Sequence, residues 1–226
     1  MTPEERQKNV SFLWLLYTLF AVSILIAIIW TSFAIEYPNP FGNGIKNTWW
    51  CAIVSGSLCL ILIIAAFFVS SLGNPPLNMV IYGIFVLCFM HFTSWLCLND
   101  ETGLVYYGLW LLLAIGLAMA IYAWNTEVAF NTIVSLLAIC FACLIVYLIF
   151  LMFSEVNFMG LVLVLIAAMI VGFYLNYDVG SSVRGKKLDY GDDDAWTGAV
   201  KIWADGVLVF CRFFEMLGRG CCKNKF

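Results

Sequence analysis

Four ionisable residues, Lys201, Asp205, Arg212 and Glu215, interrupt an apolar stretch that runs from Ala195 to Leu217. At about 100° of rotation per helical residue they fall within an arc of roughly 80°, one polar stripe on an otherwise apolar helix. Lys201 and Asp205 are spaced i,i+4 and Arg212 and Glu215 i,i+3, so each pair can neutralise itself along the helix. A fifth ionisable residue, Asp178, closes the sequence Tyr174-Leu175-Asn176-Tyr177-Asp178. If the helix before it continues through Asp178 to about Arg184 and the chain turns back near 189–194, Asp178 and Asp205 each lie roughly 10 to 12 residues from the turn and reach comparable depth. Two carboxylates sharing a partly desolvated site do not ionise independently and can hold a proton between them. Fully deprotonated, they repel or form a hard-oxygen site suited to transient Ca²⁺ binding; protonated, they relax. That is the outline of a pH switch, with Asp178 and Asp205 as the gate, Lys201 and Arg212 as candidate counter-ions, and Glu215 extending the stripe. The competing placement lays the segment along the membrane interface, as two salt bridges on an amphipathic helix with Trp203, Val207, Phe210 and Phe214 in lipid.

The elements that must position these residues are membrane-spanning helices. Hydrophobic residues make up 64% of the chain and charged residues only 11%, which excludes an ordinary soluble domain. Six uncharged runs are long enough to cross the hydrocarbon: Ser11–Ile35, Trp49–Ser71, Leu77–Leu98, Leu104–Trp124, Thr132–Phe153 and Phe158–Tyr177. With the sixth extended to about 184 and the charged segment 195–217 added, the expectation is an all-α, polytopic bundle of seven helices in one transmembrane domain. The last helix is semi-polar, central and a candidate re-entrant segment; residues 1–10 and 218–226 are short polar tails. Connections such as Gly73-Asn74-Pro75-Pro76 are short, so neighbouring helices run antiparallel and no soluble domain fits between them. The first run exceeds the hydrophobic region of a cleaved signal peptide and is expected to stay as the first span.

Lys and Arg locate the cytoplasmic side better than net charge does. With the N-terminus cytoplasmic, Arg6, Lys8, Arg184, Lys186 and Lys187 lie inside and the odd-numbered outer loops contain only Lys46. A complete seventh crossing would put Arg219, Lys223 and Lys225 outside, five against four; a re-entrant one gives eight against one. The count favours the re-entrant form. The sequon Asn9-Val10-Ser11 would report the opposite orientation if glycosylated.

Other chemistry-bearing residues have plainer readings. His91, the one histidine, lies in the third span, where an interhelical hydrogen bond is a commoner role than a proton relay. Cys140-x-x-Cys143 falls mid-helix and reads as packing. Cys221 and Cys222, flanked by Arg219 and Lys223 beside the membrane, are candidate palmitoylation sites. Asp192-Asp193-Asp194 lacks the ligand spacing of a calcium loop and reads as capping of the helix that follows. No phosphate loop, dinucleotide fingerprint, nucleophile elbow or zinc-protease helix occurs, so no enzyme, cofactor or nucleic-acid role is expected.

Tyr177-Asp178, the polar loop from Arg184 to Asp194, and Trp203-Ala204-Asp205 together resemble the end of the transmembrane BAX inhibitor motif family, which includes Lifeguard proteins, Golgi anti-apoptotic proteins and viral relatives. Pro76-Leu77-Asn78 also resembles the start of that family's third helix. The resemblance implies a seven-helix bundle with the last helix central and a calcium leak gated by protons through two aspartates, by position Asp178 and Asp205. It also implies a place in cell-death control through intracellular calcium stores, with the endoplasmic reticulum or Golgi favoured over the plasma membrane. Implied partners are the lipid bilayer, calcium ions and other membrane proteins of cell-death or calcium pathways. The chain departs from the family pattern at three places: its second span has no Lys or Arg, Phe89 stands where relatives carry an acidic residue, and Leu208 replaces an Asn. Those departures sustain an alternative, a non-conducting adaptor that binds membrane proteins and alters apoptosis, trafficking or host response. Its aromatic-rich spans, with Trp14, Trp30, Trp95 and Trp110, could form a partner surface, but interface anchoring or bundle packing is the commoner role of such residues.

Overall fold

Six helices long and apolar enough to cross a membrane dominate the computed structural model. It describes residues 3–68, 76–100, 103–125, 131–154, 156–183, 195–196 and 198–203, with the side chains at 3–10, 67–68, 132 and 178–183 excepted. Among these residues every regular element is helical and no strand occurs. The elements are α1 (Pro3–Glu36), a π-type turn (Pro38–Gly42), the short α2 (Asn43–Asn47), α3 (Trp49–Phe68), α4 (Leu77–Asn99), α5 (Leu104–Asn125), α6 (Thr132–Phe153) and α7 (Phe158–Val183). The helix boundaries expected from the apolar runs hold to within a residue or so for α4, α5 and α6. α1 begins earlier than its apolar run, and α7 continues through position 178 to Val183 as expected.

Short polar side chains close the turns between spans. After α4, Asp100 Oδ2 accepts from Val105 N at 2.8 Å, and Gly103 takes the positive φ of +69° that a side chain would disfavour. Asn131 caps α6 by accepting from Ile133 N at 3.0 Å, while the Tyr122 hydroxyl accepts from Asn131 N at 2.7 Å and ties the end of α5 to the same residue. Asn157 Oδ1 accepts from Met159 N at 3.0 Å at the start of α7.

α1 packs most extensively on α5 and then on α4; α3 rests on α4, and α6 and α7 pack on each other and on α5. Of the described spans α1 is therefore innermost: 56% of its span is buried, against 11% for α6, most of whose surface is left to lipid. Apolar attraction cannot sort helices in a lipid environment, so the order is set by close packing and by hydrogen bonds between helices. Thr31 and Ser94 hydroxyls meet at 2.8 Å between α1 and α4, and Tyr82 donates to the Leu19 carbonyl at 2.5 Å on the same pair. Ser32 and Tyr106 meet at 2.8 Å between α1 and α5. Gly116 admits α1, since a Cβ there would lie 3.0 Å from the Phe20 ring and 3.2 Å from Ala21 Cβ.

Candidate functional site

α7 approaches the candidate site as a helix tied to α6 by a buried polar contact. Asn176 is fully buried, and its Oδ1 accepts from Ser135 Oγ of α6 at 2.6 Å. The neighbouring Gly172 lets α7 close on α5 and α6, because a Cβ there would lie 3.0 Å from Ile139 and 3.3 Å from Ile115. By helical register, position 178 stands five turns beyond Gly160 and continues the row of Gly160, Val164 and Val171. That row faces α5: a Cβ on Gly160 would meet Leu104, and Val164 lies against Gly108. The backbone of Asp178 is thus on a helix whose rotation is fixed; its side chain lies outside the described residues.

The start of the charged segment is inside the protein. Helical residues 198–203, with 195–196 before them, are almost wholly buried: Ala195, Ala199, Val200 and Ile202 among the apolar residues, and Lys201 at 9% exposure. Trp196 meets Tyr82 with ring centroids 5.3 Å apart, and Trp203 meets Phe89 at 4.2 Å. Seven residues separate the contacts on each helix, so the segment runs alongside α4 in the same direction. Trp203 also lies 4.9 Å from Phe20 of α1. The interfacial placement expected Trp203 in lipid; its ring instead packs between α1 and α4, which corrects that placement for residues 195–196 and 198–203.

Lys201 is the one sequence-chosen site residue whose side chain is described. It is buried and not without an interaction. A buried ammonium in a membrane bundle faces the protein interior or a polar path, because lipid solvates it so poorly. Asp205, Arg212, Glu215, Cys221 and Cys222 lie outside the described residues, so the separation of the two carboxylates is not among the contacts above. No group of three or more His, Cys, Asp or Glu side chains able to hold a metal occurs among the described residues.

Two expectations for other residues resolve differently. Cys51, Cys59, Cys88, Cys97, Cys140 and Cys143 are all free thiols within helices, in keeping with a packing role for Cys140 and Cys143. His91 Nε2, in contrast, is buried without a hydrogen-bond partner among the described residues, so the expected interhelical bond is not seen among them through that nitrogen. Thr31, Ser94, Ser32, Tyr106, Ser135 and Asn176 make the interhelical contacts instead. Sequence reasoning also missed the aromatic row Tyr82, Phe85 and Phe89. Its signal was present as spacing: i, i+3 and i+7 put the three within an arc of roughly 60°, and Trp196 and Trp203 are likewise one heptad apart.

Compared with known proteins, the chain is matched over residues 10–221 by a family model described as inhibitor of apoptosis-promoting Bax1. No curated protein and no solved structure gives a match.

Proposed function

The chain belongs to the family of inhibitors of apoptosis-promoting Bax1, multi-pass membrane proteins that modulate cell death, and we propose that it does so as a pH-sensitive, calcium-permeable leak. The observation that carries this reading is the burial of Lys201 on a segment seated between α1 and α4. An ionisable residue drawn into a membrane bundle marks an ion or proton path more often than a structural ornament, since its desolvation must be offset by function or by a partner. In the proposed mechanism Asp178, on the α5-facing row of α7, and Asp205, two residues beyond Trp203, form the proton-sensing pair. Lys201 and Arg212 balance their charge, and Glu215 balances Arg212. Deprotonation of both aspartates creates an oxygen-rich, negatively charged point that attracts Ca²⁺; protonation removes the charge and changes the packing of the last helix. The favoured setting is the membrane of the endoplasmic reticulum or Golgi, where such a leak lowers stored calcium, with a central last helix that enters from the cytoplasmic side.

The test uses purified full-length protein in calcium-loaded liposomes, comparing wild type with Asp178→Asn and Asp205→Asn across pH. Each variant is expected to flatten the pH dependence of calcium flux. Unchanged flux and unchanged pH dependence in both would sink the mechanism.

Two observations favour the second reading, a non-conducting adaptor. Phe89 fills the space beside the last helix with an apolar ring packed on Trp203, and α3 offers no Lys or Arg to balance a carboxylate. Robust calcium flux from the purified protein would rule out an exclusively adaptor role.

A further inference from the structure

Trp203 is enclosed by rings from two other helices. Its centroid lies 4.2 Å from Phe89 and 6.1 Å from Phe85 of α4, and 4.9 Å from Phe20 of α1. Phe85 and Phe89 stack on each other at 6.0 Å with planes 9° apart. Phe20 and Phe85 are 2% and 1% exposed and Phe89 is buried, so the rings that face the part-buried Trp203 are themselves shut off from solvent. Along the last segment it falls between Lys201 and Asp205, which makes it an apolar layer bounded on either side in sequence by charge.

The Trp203 indole nitrogen is buried with no hydrogen-bond partner among the described residues. A buried donor left unpaired is destabilising, so pure core packing would be served better by Phe or Leu. A tryptophan here contributes more ring area than either, and the largest plug is obtained at the cost of the orphaned N–H. Rows of aromatics that exclude water block ions even where a path is sterically wide enough, because the ion cannot bring its hydration shell through.

We propose that Phe20, Phe85, Phe89 and Trp203 form a hydrophobic seal on the ion path, with Trp203 as the wedge that the last helix carries into and out of it. This rests on the leak reading, and it assigns closure to apolar bulk while the aspartates sense protons. The charged groups then bias where the last helix sits, and the aromatic layer is what conducts or does not.

The experiment uses the full chain in liposomes at the pH where wild type leaks least. Phe89→Ala and Trp203→Ala are each expected to raise resting calcium flux severalfold, and Phe89→Leu, which keeps apolar bulk, to raise it much less than Phe89→Ala. A second readout does not depend on flux: in a chain whose other native cysteines are replaced, the free thiol of Cys59, buried with its Sγ 3.9 Å from the Phe85 carbonyl oxygen, is the reporter exposed to a membrane-impermeant thiol reagent. The reporter should be protected when Trp203 is present and modified when Trp203→Ala is added, with monodispersity on size exclusion confirming that the protein is folded. If no variant conducts but Trp203→Ala still unmasks the reporter, the leak reading fails and the seal stands as a water barrier. The seal is overturned if the reporter stays protected and flux stays at wild-type level in folded Trp203→Ala. It is equally overturned if Phe89→Leu leaks as much as Phe89→Ala, since apolar bulk would then not be what closes the path.

Discussion

A buried amide holds α7 against α6 two residues before Asp178. Asn176 is completely buried and joined to Ser135 of α6 at 2.6 Å, a polar contact more selective of helix rotation than apolar packing is. Position 178 lies two residues further along the same helix, about 200° around its axis from position 176. Interhelical hydrogen bonds in membrane proteins average about 0.6 kcal/mol and reach about 1.7 kcal/mol. Asn176→Ala and Ser135→Ala should each lower the melting temperature in detergent, and a double-mutant cycle should return a coupling energy in that range. Strict additivity would mean the contact does not hold α7. Lys201 supports a second residue-scale prediction, conditional on the proton-sensing pair. Removing a positive charge from beside carboxylates favours their protonated forms. Lys201→Met should therefore move the midpoint of the flux–pH curve to higher pH, and a shift to lower pH would contradict its role as counter-ion.

Between elements, the closest approaches are made at glycines, and they differ enough to be told apart by substitution. Gly116 faces Phe20 and Ala21 of α1 at distances that leave no space for a larger side chain, whereas a Cβ on Gly83 of α4 would meet nothing within 4 Å. Gly116→Leu should overpack the α1–α5 seam and cost about 1–3 kcal/mol, while Gly83→Ala should be neutral or mildly stabilising through helix propensity. Equal losses of thermal stability at the two sites would show that α1 is not the tightly packed centre. These seams were hard to read in advance. The spans themselves were legible, since uncharged runs of the right length gave Leu77, Leu104, Thr132 and Phe158 as helix starts. The early start of α1 was signalled too, by Pro3 at the first helical position and Glu4 and Glu5 in the first turn, but hydropathy alone passes over polar turns. Which span lies innermost was hidden because lipid-facing and protein-facing surfaces are both apolar. The distinguishing marks were the small and hydroxyl residues Ala21, Thr31 and Ser32 on α1 and Gly116 on α5. At the site, the burial of Lys201 and Trp203 could not be separated from an interfacial placement by periodicity, because an amphipathic stripe fits a lipid interface and a polar interior equally well.

For the molecule as a whole, the unusual element is the last one, which enters the bundle beside α4 and in the same direction. Trp196 on Tyr82 and Trp203 on Phe89 set that direction, and the Tyr82 hydroxyl bound to the Leu19 carbonyl ties the same level of α4 to α1. Positive charge makes the next step testable. Arg6, Lys8, Arg184, Lys186 and Lys187 share one side if the N-terminus is cytoplasmic, and Arg219, Lys223 and Lys225 join them only if the last segment turns back before crossing. Translocating three basic residues against that bias is disfavoured, although a strongly apolar helix can override it. The expectation is that epitopes at the two ends of the chain become accessible together when the plasma membrane alone is permeabilised. An N-terminal epitope exposed under those conditions with a C-terminal one still protected would establish a complete seventh crossing. In that arrangement the charged stripe would span the full hydrocarbon, and each of Lys201, Asp205, Arg212 and Glu215 would need a partner inside the bundle, which makes the outcome decisive for how the gate is built as well as for topology.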